Sequence, residues 1–185
     1  MAQRSFRDDM RWSNQFLPEI KRIIGEHLIT TAPPEEDMQR NTDLIVLTLG
    51  AVRVACRVRQ HQYIDRYGDE FTIRASRPND VKTELTKLIE GWGDYLLYGF
   101  ASQDETRLAA WVLGDLRVFR LSYMRGLASG SPLGMGRKNG DGSSTFQAFR
   151  IDEFPREFVV ARHVPGDTPT IHQGRLLIES REDAA

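Results

Sequence analysis

Arginines 53, 57 and 59 fall on one side of the segment VRVACRVR, where Val52, Val54, Cys56 and Val58 take the other. Residues two apart share a face of a strand, so Arg53, Arg57 and Arg59 form a guanidinium ladder. Arg74, in the later segment EFTIRAS, joins that ladder if the strand register brings the two faces together. A guanidinium is a planar fork matched to phosphate oxygens, and a cluster of them predicts salt-dependent binding of nucleic acid. The alternative is a cross-strand set of surface ion pairs with Glu70 and neighbouring acids, worth little and functionally silent. Further on, Arg77 precedes KTELTK, which opens an expected helix with Lys82, Thr83 and Glu84. The unpaired amides of a helix start attract anions, although a plain helix cap explains the same residues.

Other chemistries find less support. His27, His61, His163 and His172 are scattered without metal-ligand spacing, and His27 falls on an apolar helix face. The single cysteine, Cys56, excludes an intramolecular disulfide and a cysteine-rich zinc site. It lies mid-strand on the apolar side, which predicts a buried, inert thiol. No Gly-x-Ser-x-Gly elbow is present, and Gly91, Gly93 and Gly99 lack the spacing of a phosphate loop. The aromatic residues Trp92, Tyr95, Tyr98 and Phe100 can stack bases, but core packing is the expectation for Trp92. The segment GMGRKNGDGSS carries Arg137 and Lys138 and reads as a flexible, solvated loop.

The elements that must position these groups follow from periodicity. Residues 1–12 are polar and expected to be loose. A helix starts at Ser13 or Asn14, with Pro18 in its first turn and Phe16, Ile20, Ile23, Ile24, His27 and Leu28 on one face. Prolines 33 and 34 end it. Strands are predicted over 43–49, 52–59 and 69–75, joined as an antiparallel meander with a tight turn at Gly50-Ala51. Asn79 or Asp80 caps a helix over 80–92, buried through Val81, Leu85, Leu88, Ile89 and Trp92. DYLLYGFA and RLAAWVL are the fourth and fifth strands. A helix follows with Leu116, Phe119, Tyr123, Met124 and Leu127 inward, then TFQAFRIDEF and EFVVARHV as a late pair of short strands. The expected class is α/β (α+β), with a single domain over 13–164 and a C-terminal tail over 165–185.

The order helix, three-strand meander, helix, strand resembles the PD-(D/E)XK nuclease-like core. In that family a strand-borne acid and an acid-x-lysine triplet on the next strand hold a divalent metal that activates water for phosphodiester cleavage. In NTDLIVLTL, Asp43 stands where the first acid would be; the second strand holds no Asp, Glu or Lys, so the triplet is degenerate. The resemblance implies a catalytic set of Asp43, a second acid and Lys82. Glu70, which begins the adjacent strand, is the first choice for that acid ahead of Glu36 or Glu84, with Asp43 and Glu70 on Mg²⁺ or Mn²⁺ and Glu84 otherwise an auxiliary group. The pieces NTDLIVL, ACRVR, RYGDEFTIR, KTELTK and GWGDYLLYGF are also similar to uncharacterised proteins of tailed phages and prophages. They span about a third of the chain. That likeness implies a phage setting and no defined activity.

Bulk composition restricts the remainder. Lys+Arg number 25 against 26 Asp+Glu, a formal net charge of −1, so only the distribution of charge bears on a nucleic-acid partner. Hydrophobic residues make up 40%, as in globular proteins and unlike disordered ones. No apolar run reaches transmembrane length and the N-terminus carries no signal-peptide core, which predicts a cytoplasmic protein with no membrane partner. Together these features lead to the expectation of a phage-encoded, nuclease-like protein that binds nucleic acid. The alternative is a non-catalytic phage accessory protein whose charged ladder meets a host or viral protein.

Overall fold

A computed structural model describes residues 6–31, 44–46, 52–76, 82–140, 144–166 and 170–171. Residues 6–12, expected to be loose, lie in helix α1 (Phe6–Asn14), and α2 (Leu17–Leu28) follows with Pro18 in its first turn. Ser13 and Asn14, expected as caps, end α1 instead. Part of the predicted apolar stripe is present: Phe16, just before α2, and Ile20 and Ile23 within it are at most 2% exposed, while Ile24 and His27 are half-buried. Two short strands, β1 (Ile29–Thr31) and β2 (Leu44–Val46), pair antiparallel.

The centre of the fold is a five-stranded sheet in which β5 (Tyr95–Ala101), the strand next to one edge, is buried at every position. Its two faces differ in what covers them. Tyr95, Leu97 and Ala101 join Phe16, Ile20 and Ile23 of the N-terminal helices, while Leu96, Tyr98 and Phe100 pack on the opposite side. One edge of β5 takes β6 (Leu108–Asp115) antiparallel across a short hairpin, and the other takes β3 (Val54–Arg59) parallel. Beyond β6 lie β9 (Val159–His163) and β10 (Thr170–Ile171), both antiparallel to their neighbours.

Predicted strands exist at 54–59 and 70–76, and residues 44–46 are also extended, but they do not form a meander. After β3 the chain leaves the sheet through a 3-10 turn (His61–Tyr63) and the single-turn helix α3 (Ile64–Tyr67). It then enters β4 (Glu70–Ser76), which pairs with β8 (Thr145–Arg150) in a separate three-stranded sheet. A parallel pair requires a crossover of a dozen or more residues; β4 and the short helix α4 (Glu84–Ile89) lie within the one joining β3 to β5. The expected turn at Gly50-Ala51 lies outside the described residues, as do Asn79, Asp80 and Val81.

Several later expectations are also corrected. The glycine-rich stretch contains β7 (Met135–Lys138), which pairs with β8 and completes the second sheet. β8 and β9 are strands as predicted, but they belong to different sheets and do not pair. Helix α5 (Leu116–Ala128) buries Leu116 and Phe119 and half-buries Tyr123, whereas Met124 and Leu127 are 52% and 48% exposed. Both sit one residue, about 100° of helical rotation, away from the buried line of residues 116, 119, 123 and 126. The second core is rich in aromatic rings. Phe71 lies within 5.7 Å of Phe149, Phe154 and Phe158, sealing the three-stranded sheet against the five-stranded one.

Candidate functional site

Where β3 begins, β4 ends and α4 turns back into β5, the surface opens into a cavity of about 440 Å³. Its walls are Val54, Ala55, Leu88 and Gly93, and its charged groups are Arg53, Arg74, Lys82, Lys87 and Glu84, with Trp92 beside them. Four cations thus face one carboxylate.

Arg53 is set in place by its backbone. Asp94 closes a reciprocal clamp on it, its N–H donating to the Arg53 carbonyl at 2.8 Å and its Oδ2 accepting from the Arg53 N–H at 2.8 Å. The Tyr95 N–H reaches the same carbonyl at 3.2 Å, which ties the start of β3 to the start of β5. The side chain is left exposed toward the cavity.

Trp92 is placed by the way α4 ends. Thr83 caps the start of the helix by accepting from the Thr86 N–H. At the other end Gly91 adopts φ +96°, the Gly91 N–H bonds the Leu88 carbonyl, and the Trp92 N–H bonds the Lys87 carbonyl. This paired pattern requires a left-handed residue where Gly91 stands. A second positive φ, +85° at Gly93, then turns the chain into β5, where an added Cβ would meet Leu116 Cδ1 at 3.1 Å. Held between two such glycines, Trp92 is 63% exposed instead of packed in the core as the helical period predicts. Arg120 of α5 braces the turn by donating to the carbonyls of Leu88 and Gly93.

Not every arginine of the ladder faces this opening. Arg57 donates to Glu84 Oε2 at 3.1 Å and to the Thr72 carbonyl at 3.2 Å, and the Arg74 N–H also reaches Glu84 Oε2. Arg57 therefore joins the edge of the five-stranded sheet to β4 and α4, and offsets the one carboxylate in the cavity. Arg59 lies over the Tyr63 ring, 4.8 Å from its centroid. Arg74 lines the cavity together with Arg53, the two ladder members brought to a common place, and Arg77 lies outside the described residues. Lys82 contacts both oxygens of Glu90, at 2.7 and 2.8 Å. Among the described residues, neither the Arg53 side chain nor Lys87 has a carboxylate partner.

Of the expected metal pair, Glu70 alone is among the described residues. Glu70 faces Arg137: Nη2 donates to Oε1 at 3.0 Å, while Nη1 lies 2.9 Å from Oε2, which is buried without an aligned hydrogen bond. Asp43 lies outside the described residues. Among those described, no group of three His, Cys, Asp or Glu side chains gathers in a way that could hold a metal ion. Cys56, expected to be buried, is exposed on β3, which is an edge strand of the sheet among the described residues.

Three contributors were not assigned from sequence: Lys87, Asp94 and an exposed Trp92. The available signal was the string GWGD, an aromatic between two glycines just after a helix, where the turn chemistry outweighs the helical period. No helix among the described residues is long and apolar enough to cross a membrane. Compared with protein-family models, curated proteins and solved structures, the chain matches none.

Proposed function

We propose that this protein binds nucleic acid, with the phosphate backbone held at the cavity between β3, β4 and α4. The observation that carries this is the convergence of Arg53, Arg74, Lys82 and Lys87 on one concave surface whose carboxylate, Glu84, is already bonded to Arg57. An anion entering there meets a surplus of positive charge at the mouth and apolar walls behind it, an arrangement suited to a phosphodiester and its base.

Arg53→Ala and Lys87→Ala are the informative substitutions, because neither side chain is in an ion pair with a described carboxylate and both line the cavity. Each should weaken binding of an oligonucleotide and lower the slope of log affinity against log salt by about 0.7–0.9. Chelation by EDTA should leave the affinity unchanged, since guanidinium and ammonium groups hold the phosphate. An unaltered salt slope in the double variant would overturn the assignment. Arg57→Ala is a poorer probe, because that side chain also joins the two sheets.

A second surface supports the protein-partner alternative. Leu121, Met124 and Leu127 leave the outer side of α5 67%, 52% and 48% exposed. Charged substitutions there should leave oligonucleotide binding intact if the cavity is the nucleic-acid site.

A further inference from the structure

Trp92 has a property that a phosphate-holding cavity does not require. Among the described residues it has no ring partner, whereas Trp12 packs edge-on against Phe16 and Trp111 lies between His27 and His163. The helix end that presents it is fully specified: Gly91 and Gly93 fix the backbone on either side, and Arg120 holds the adjoining carbonyls. A large apolar ring is thus kept in water at a rigid position, at the border of a cavity lined by four cations.

From this we infer that the site takes an unpaired nucleotide, with the base stacked on Trp92 and its phosphates against Arg53, Arg74, Lys82 and Lys87; the ligand class is single-stranded nucleic acid. The inference rests on the nucleic-acid assignment of the same cavity. Inside a duplex both faces of each base are covered by its neighbours, so an indole can stack only on a base that is unpaired or terminal. The dimensions agree, since small-ligand pockets run from about 300 to 1,000 Å³ and this one is about 440 Å³. Stacking needs no hydrogen-bond readout, so the preference is for strandedness and not for sequence. Neither nearby carboxylate stands unpaired before a phosphate, because Glu84 is engaged by Arg57 and by the Arg74 N–H, and Glu90 by Lys82.

The test compares an oligothymidylate with a blunt-ended, two-strand duplex that has no loop and carries the same number of phosphates, using the full chain and its Trp92→Ala, Trp92→Phe and Arg53→Ala/Lys87→Ala variants. The wild type should prefer the single strand. Trp92→Ala should reduce the ratio of the two affinities by about tenfold, the scale of losing one base–aromatic stack. Trp92→Phe should keep most of that ratio while abolishing the quenching of tryptophan fluorescence by the oligothymidylate. Because Trp92 is 63% exposed, its replacement should leave the thermal midpoint of unfolding in place. If Trp92→Ala leaves the ratio unchanged while the double charge variant weakens both probes, stacking is overturned and the phosphate assignment stands. If neither probe binds the wild type, both fall.

Discussion

Glu70 shows how a residue suited to one chemistry is engaged by another. Its side chain is 16% exposed and its partner Arg137 29%, while Arg137 also lies over the Tyr67 ring, 5.2 Å from the centroid. Removing the carboxylate charge leaves a largely covered guanidinium without its counter-ion, so Glu70→Gln should lower unfolding stability by about 1–3 kcal/mol. A metal ligand would behave differently: Glu70→Gln would remove Mg²⁺- or Mn²⁺-dependent cleavage and leave stability nearly unchanged. Denaturant titration beside a cleavage assay separates the two. Asp104 offers a pH handle in the β5–β6 hairpin. Its carboxylate accepts from Ser102 Oγ and from the Thr106 hydroxyl and N–H, and these bonds depress its pKa to about 2. An unfolded aspartate titrates near pH 3.9, so the folded value is the lower one. The contribution is present above that pH and lost as pH falls from about 4 through about 2. The stability difference between wild type and Asp104→Asn should therefore shrink as pH falls through that window; a constant difference would show that the carboxylate charge is not involved.

At the scale of elements, the sequence was informative about strand identity and poor about strand partners. The alternation of Val54, Cys56 and Val58 against Arg53, Arg57 and Arg59 was legible because side-chain direction is a local property of an extended chain. That β3 would pair parallel with β5 was not legible, since pairing is decided by which edges become buried together. The same limit affected helix α5, where the period was present but the burial of Met124 and Leu127 depended on how far the packed layer extends. Of the candidate site, the arginine positions were visible in the sequence, while the turn that exposes Trp92 and brings Lys87 alongside it needed the geometry of Gly91 and Gly93. Close packing between elements can be tested at Gly114. It sits on β6 where the register with β9 shifts, and a Cβ there would lie 2.5 Å from Cζ of the fully buried Phe158. Gly114→Ala should cost about 1–3 kcal/mol by forcing that ring aside. Thermal unfolding would measure the loss, and a midpoint equal to wild type would mean that the Phe158 ring has room the structure does not show.

At the scale of the whole molecule, the five-stranded sheet separates two apolar cores with different roles. One face carries α1 and α2 through Phe16, Ile20 and Ile23 against Leu97, Leu108 and Leu113. The other carries the second sheet with α4 and α5, and the cavity opens on that side through Leu88, Arg74 and Glu84. The N-terminal helices are further tied by Glu19, which accepts from the Leu108 N–H at 2.7 Å, and by Trp12, which donates to Glu105 Oε2 at 2.7 Å. Both contacts fall on β6 and the hairpin before it, apart from the residues that line the cavity. Ile23 is fully buried in this layer, and Ile23→Ala should destabilise the protein by about 2–5 kcal/mol through lost burial and the cavity left behind. Because the damage lies on the far face of the sheet, oligonucleotide affinity and its salt slope should stay at wild-type values under conditions where the variant is folded. Amide exchange should quicken first in α1 and α2, with β5 and α4 retaining protection. A parallel loss of nucleic-acid affinity in folded Ile23→Ala would show that the two faces are coupled through the sheet, and that the site depends on the helical layer as well as on its own walls.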